Sequence, residues 1–194
     1  MKRTLIALLL VILPSFCVPT LADVAPTSLE KLTKISTLAV VVDVKRISTI
    51  EGAKIAEAEV LMALKGASRP KEIIYFIAQP TSIEDTSHAV TGDRLLLFLE
   101  PEPMEVNPDS QFRSKVRDEI GDRLLWRITW SGRGRLTVTQ VNGIDYIQSL
   151  ADQQLADVRM PKGLTVIPSP TNNRRVNLIK LADVVSFIRR KVKN

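Results

Sequence analysis

The chain has 194 residues, of which 45% are hydrophobic and 25% charged, a composition typical of a folded globular protein and not of a disordered one. Its net charge of +6 is compatible with an acidic partner such as a membrane surface or an anionic polymer, but does not require one. Cys17 is the only cysteine, which excludes an internal disulfide.

The first 22 residues have the pattern of a cleavable secretory signal peptide. Lys2 and Arg3 precede an unbroken apolar run, Leu5 to Leu13. Thr20-Leu21-Ala22 then offers small residues at the positions that a signal peptidase reads. The apolar run is too short to span a bilayer, which takes about 20 residues. We therefore predict a leader at 1–22 and a single β-rich domain at 23–194, located in the bacterial periplasm or secreted.

Cys17 raises a second possibility, a lipoprotein with the lipid attached to that thiol. The acceptor cysteine of a lipoprotein normally follows a small residue, and the bulky Phe16 precedes it here, so we expect no lipid. Removal of the leader takes two cations and no acid, which leaves a net charge of +4. A domain of this size buries roughly 70% of the surface of its unfolded chain and folds without disulfides.

The first half of the predicted domain combines one helix with several strand patterns. Leu29, Leu32 and Ile35 recur at helical spacing, and Thr27 or Ser28 can cap that helix. Apolar runs or alternating patterns, separated by turn residues such as Gly52 and Gly66, predict strands at 38–44, 55–64, 71–78 and 94–99. The alanines and glutamates of the second run also suit a helix. Residues 110–121 fit either a helical turn or a loop.

The second half contains what reads as a β-hairpin. Trp126, Ile128 and Trp130 alternate with polar positions, residues 131–134 form a turn, and residues 135–141 alternate again. Asn142-Gly143 predicts a further turn before a short strand at 144–147. Residues 148–176 are expected to be irregular. Asn177 is expected to cap a final helix, whose apolar stripe runs from Leu178 to Ile188.

Six or seven short strands broken by glycine and proline, with a helix at each end, predict a mainly β fold. The expected architecture is a small antiparallel barrel or sandwich.

Three of the strand patterns support a resemblance to known proteins. They are the runs Leu38 to Val44, Ala58 to Gly66 and Gly92 to Leu99. Their order resembles a broad group of uncharacterised bacterial exported proteins, and the layout looks like the OB-type barrel of netrin-module and metalloproteinase-inhibitor domains. Asp43 stands where the pattern usually has glycine, and the inhibitors' cysteines, including the reactive N-terminal one, are missing. The resemblance therefore implies an OB-like fold and no inhibitory mechanism.

Catalytic and metal-binding signals are weak. His88 is the only histidine, with Ser87 and Asp85 nearby, but adjacent loop residues rarely form a triad and no G-x-S-x-G elbow occurs. One histidine and no cysteine in the mature chain argue against a zinc site. The acidic stretch between Glu100 and Asp109 lacks the calcium-loop pattern. We expect no cofactor and no metal.

Four residues are candidates for ligand contact. Trp126 and Trp130 could stack on a sugar ring if exposed together, although aromatic residues at strand spacing are more often core. Arg133 and Arg135 could bind an anion at the hairpin tip, or simply be solvated. The cations between Arg189 and Lys193 suit the end of a helix dipole, with a membrane-surface role as the minority interpretation.

Taken together, the sequence favours an exported binding or scaffold protein without catalytic activity. The expected partner is another envelope protein or an anionic polymer, with no nucleic acid and no transmembrane span. The alternative is an envelope hydrolase with an unlocated Ser or Lys nucleophile.

Overall fold

A computed structural model describes residues 26–78, 89–103, 111–130, 132–150, 158–169 and 176–193. The predicted leader, with Cys17, and the group Asp85, Ser87 and His88 lie outside these ranges. The helices within them are α1 (Leu29–Ile35), α2 (Gln111–Ile120) and α3 (Leu181–Lys193). The strands are β1 (Thr27–Ser28), β2 (Leu38–Ile50), β3 (Ala53–Lys65), β4 (Ile73–Ile77), β5 (Arg94–Pro101), β6 (Leu125–Ile128), β7 (Arg135–Val141), β8 (Ile144–Leu150), β9 (Val158–Arg159), β10 (Val166–Pro168) and β11 (Val176–Lys180).

Five of the strands close into a barrel. β2 pairs antiparallel with β3 and with β5, and β3 pairs antiparallel with β4. β6 completes the ring, parallel to β4 and antiparallel to β5. Alternate side chains such as Val40, Phe76 and Leu97 fill the interior, so the barrel is a packed core. The prediction of a mainly β fold with a small barrel and a helix near each end is confirmed.

The remaining strands and the helices cover the outside of this barrel. The sheet continues from β5 through β7, β8 and β11 to β10. α1 and α3 pack on the outer face of β2 and β5, where Leu32, Phe98 and Ile188 are fully buried. α2 covers β4 and β6 through Val116 and Ile120. No helix in the ranges that the structure describes is long and apolar enough to cross a membrane.

The predicted hairpin of residues 124–141 is wrong. β6 and β7 do not pair with each other; both pair with β5, one after the other along the same edge. Thr129 and Gly134 are hydrogen-bonded to each other (3.0 Å), and both are bonded to the backbone of Phe98. Between Thr129 and Gly134 the chain thus leaves an otherwise continuous edge. A Cβ on Gly134 would lie 2.7 Å from the Phe98 carbonyl oxygen, so this close approach needs glycine.

The region before the last helix also differs from the prediction. Asn177 does not cap α3, because residues 176–180 form β11, which pairs with β8 and β10. The region expected to be irregular contains the short strands β9 and β10. The capping prediction at the other end is confirmed, because Ser28 accepts the Lys31 N–H at 3.1 Å. The run at 55–64, whose composition also suits a helix, is part of β3 (53–65). The segment 110–121, for which a helical turn and a loop were both possible, contains the helix α2 (111–120).

Lys65 and Gly66 join α1 to the end of β3. The Lys65 ammonium group donates to the carbonyl oxygens of Thr33 (2.7 Å), Lys34 (3.0 Å) and Ser36. These carbonyls lie at or just past the end of α1 and have few backbone partners, so the lysine caps the helix. Gly66 has φ +88°, and a Cβ there would lie 2.8 Å from the Thr37 carbonyl oxygen.

Candidate functional site

The barrel end at which β2, β4 and β6 begin opens into a cavity of about 500 Å³. We name this cavity the mouth groove. Its walls come from the starts of these strands and from the turn that follows β3. Its lining includes Leu38, Ser68, Glu72, Arg123, Leu124 and Trp126. The groove is therefore a concave surface on rigid strands, the usual setting of a binding site.

Trp126 forms the aromatic wall of the mouth groove. Side chains alternate along β6, and Trp126 lies on the same side as Ile128, against the barrel interior. Its backbone pairs with Phe76 of β4 and Pro101 of β5, which fixes its position at the barrel rim. The side chain is half-buried. Part of the indole is therefore accessible from the groove, while the rest packs against the barrel interior.

Arg123 supplies a cation beside this wall. Its Nη1 donates to the Tyr75 hydroxyl at 2.7 Å, and its guanidinium carbon lies 5.4 Å from the centroid of the Tyr75 ring. A guanidinium has five N–H donors, so the contact with Tyr75 leaves donors for a ligand carboxylate. Tyr75 is buried with Val116 and Ile120 on the outer face of β4, and its hydroxyl anchors the guanidinium there.

Leu124 lies between two cavities. At 61% it is the most exposed of the large apolar side chains in the described ranges. It borders the mouth groove on one side and, on the other, a cavity of about 420 Å³ between α2 and the ends of β5 and β6. Arg123 borders both cavities as well. Arg123 and Leu124 therefore form a ridge between the two cavities, with a cation at the first position and an exposed apolar side chain at the second.

Glu72 fixes the opposite rim. Its carboxylate accepts the Ser68 hydroxyl and the Arg69 backbone N–H, both at 2.8 Å. These bonds hold the turn before β4 and place a carboxylate in the wall of the same groove that Arg123 lines. Among the described residues no group of three metal-binding side chains occurs, and the groove wall contains neither histidine nor cysteine. The arrangement suits recognition of an apolar side chain and a carboxylate.

The four residues predicted from the sequence lie in different surroundings. Trp130 lies beyond the end of β6, with φ +57°, and packs with the α1 and α3 cluster. Trp126 packs with the barrel interior, so the two indoles do not share a face. The backbone N–H of Arg133 donates to the carbonyl oxygen of Trp130 at 3.1 Å. Arg135 lies in β7, opposite Leu97 of β5.

Arg123, Leu124 and Tyr75 were missed by the sequence analysis. The available signal was the apolar Leu124 placed directly after a Gly-Asp-Arg turn and before a strand. Its exposure depends on how β6 enters the barrel, which no local pattern reveals. For Tyr75 the sequence predicts only a place in a strand, and its bond to Arg123 spans 48 residues of sequence.

At two other polar sites the cation, Arg94 or Lys65, already binds groups of the protein itself. At the opposite end of the barrel, Arg94 binds Asp43 at 2.8 Å and lies 3.5 Å from Asp145, beside a cavity of about 470 Å³. The hydrogen bond to Asp43 raises the pKa of Arg94, with a smaller contribution from Asp145. Burial lowers the pKa of Lys65. Its three carbonyl contacts nevertheless engage the ammonium group, so Lys65 has a structural role and is not a free nucleophile.

The comparisons with known proteins give no family for this chain. No protein-family model matches it, and no curated protein matches its sequence.

Proposed function

We propose that the chain is an exported protein of the bacterial envelope that binds a partner protein through the mouth groove and has no catalytic activity. The observation that carries the proposal is the exposure of Leu124 on the ridge between two cavities, beside the half-buried Trp126. Apolar and aromatic anchors that pack into pockets dominate the binding energy at protein interfaces, and Leu124 and Trp126 border the same groove.

The chemistry of the ridge favours one kind of partner segment. An apolar side chain fits between Leu124 and Trp126, and a neighbouring carboxylate reaches the guanidinium of Arg123. The bond from Arg123 to Tyr75 pre-orients that cation, which lowers the entropic cost of binding. A sugar platform made of both tryptophans is disfavoured, because the indoles pack in different clusters.

The export part of the proposal rests on the leader pattern of residues 1–22. Its test is the N-terminal sequence of the protein isolated from cells. Material that begins near Asp23 supports export, and material that retains Met1 and fractionates with the cytosol contradicts it.

The resemblance to OB-type barrels remains part of the proposal. It is supported by the ring order β5-β2-β3-β4-β6. In this ring β2 neighbours β5 and β4 neighbours β6, although neither pair is consecutive in the chain. OB-type domains are five-stranded barrels with Greek-key order. Fold alone does not assign a ligand, so the binding proposal depends on the groove and not on this resemblance.

The binding proposal is tested on native complexes extracted from the envelope with mild detergent. The wild-type chain is expected to migrate as part of a larger complex, and Leu124→Asp as the free chain. Ile144→Asp is the matched control, because Ile144 is 43% exposed and lies at a turn away from the groove. The proposal fails if wild-type chain migrates alone, or if both aspartate variants lose the complex equally.

A further inference from the structure

The last turn of α3 carries more positive charge than a favourable interaction with the helix dipole requires. Arg189, Arg190, Lys191 and Lys193 are all exposed within five residues. A cation near a helix end complements the helix dipole, but that effect is typically 0.3–1 kcal/mol and falls off within one turn. Of the four, only Lys191 has a carboxylate partner among the described residues, Glu30 at 2.7 Å.

The apolar stripe of α3 continues into this charged turn. Leu181, Val184 and Ile188 of the stripe are buried against the barrel. Val192 follows Ile188 by four residues and therefore lies on the same helix face, yet it is 42% exposed. The helix thus extends past the core that it covers, and it presents an uncovered valine among four cations.

Contact with α1 fixes the position of this turn. The bond from Lys191 to Glu30 ties the end of α3 to α1, and the Lys191 ammonium also lies 5.8 Å from the Phe187 ring. Lys34, exposed and one helical turn from Glu30, adds a further cation on α1. We name the group Arg189, Arg190, Val192 and Lys193 the basic tip.

We propose that the basic tip docks this protein on an anionic lipid bilayer. The cations match the negative surface of such a membrane, where each lysine or arginine contributes about 1 kcal/mol. The exposed valine distinguishes a bilayer from a soluble polyanion, because only a bilayer offers an apolar region just beneath its charged surface. The mouth groove and the basic tip share no residue, so this proposal does not depend on the partner proposed for the groove.

The test is sedimentation with vesicles, using the chain as isolated from expressing cells. We expect binding to vesicles that contain phosphatidylglycerol, little binding to pure phosphatidylcholine vesicles, and release by salt. The double variant Arg189→Gln/Arg190→Gln should lower the partition coefficient about thirtyfold, from about fivefold for each cation. Arg69→Gln/Lys71→Gln removes the same charge from the exposed turn before β4 and should change it little.

A third variant separates a bilayer from a soluble polyanion. Val192→Asn keeps every charge, so it should weaken binding to the anionic vesicles and leave binding to polyphosphate unchanged. The proposal is overturned if the two double variants lose vesicle binding equally, or if wild-type protein does not bind anionic vesicles. It is also overturned if Val192→Asn binds vesicles as wild type does, which would indicate a polyanion site.

Discussion

Lys31 holds its ammonium nitrogen 3.5 Å from the centroid of the Trp130 ring. Lys31 lies on α1, and Trp130 lies in the loop at which the chain passes from β6 to β7. The indole also packs with the apolar cluster beneath α1 and α3. The pair therefore connects the first helix to the point where the barrel edge continues into the outer strands.

Loss of this contact should weaken the fold slightly. Lys31→Gln removes the cation above the ring and is expected to lower the free energy of unfolding by about 0.5–1 kcal/mol, the usual size of an exposed cation–π contact. Urea denaturation measures it. Lys34→Gln is the control, because it removes the same charge from another exposed position of α1. It should change the free energy of unfolding by less than about 0.5 kcal/mol. Equal losses in both variants contradict the assignment.

Gly66 should be the least replaceable of the glycines with positive φ. Gly66→Ala combines left-handed strain with a Cβ at 2.8 Å from the Thr37 carbonyl oxygen. Gly163→Ala has nearly the same φ, +85°, but meets no atom within 4 Å. We expect the Gly163 variant to lose about 1–2 kcal/mol of unfolding free energy, and the Gly66 variant to lose distinctly more. Thermal and urea unfolding of both compare them, and equal losses refute the steric explanation.

Removal of the Lys65 ammonium group should destabilise the junction of α1 and β3. Lys65→Met keeps the aliphatic stem but leaves the carbonyl groups of Thr33, Lys34 and Ser36 without this donor. Orphaned acceptors cost about 1–3 kcal/mol each when buried, and these are partly exposed, so we expect a total loss of about 2–3 kcal/mol. Lys54→Met on the same strand is the control, since Lys54 has no comparable contact. A Lys65 variant as stable as that control contradicts the capping role.

Asp183 should make the free energy of unfolding vary with pH in the acid range. Hydrogen bonds from the side chain and the backbone N–H of Thr165 lower the pKa of this carboxyl. Its contribution is therefore complete above the ordinary carboxyl pKa of about 3.9 and is lost as pH falls through the lower folded value. The stability difference between wild type and Asp183→Asn should shrink below pH 4. Unfolding midpoints between pH 2 and 7 measure it, and a difference independent of pH contradicts the assignment.

Much of the fold was predictable because turn residues and periodicity act locally. Gly52 and Asn142-Gly143 adopt positive φ at the predicted turns, and Ser28 caps α1. These features need only the residues themselves and their neighbours. The runs of β-branched and large apolar residues in β2 and β5 likewise identified the central strands of the barrel.

Strand partners were not predictable in the same way. Alternation in residues 124–141 shows that two strands face a core, but not that both pair with β5 instead of with each other. Leu178 is compatible with the helical stripe of α3, and only pairing with β8 makes it part of β11. The mouth groove could not be predicted from the sequence for the same reason. It exists only where β4 and β6 lie side by side in parallel.

A photo-crosslinking amino acid at position 124, introduced in living cells, tests the mouth groove most directly. We expect a discrete adduct with one envelope protein at this position. We expect no such adduct at position 144, which is also exposed but does not line the groove. The adduct should be lost when Arg123→Glu reverses the charge of the ridge. The absence of any adduct at 124, or the same adduct at 144, would contradict the binding role assigned to Leu124 and Trp126.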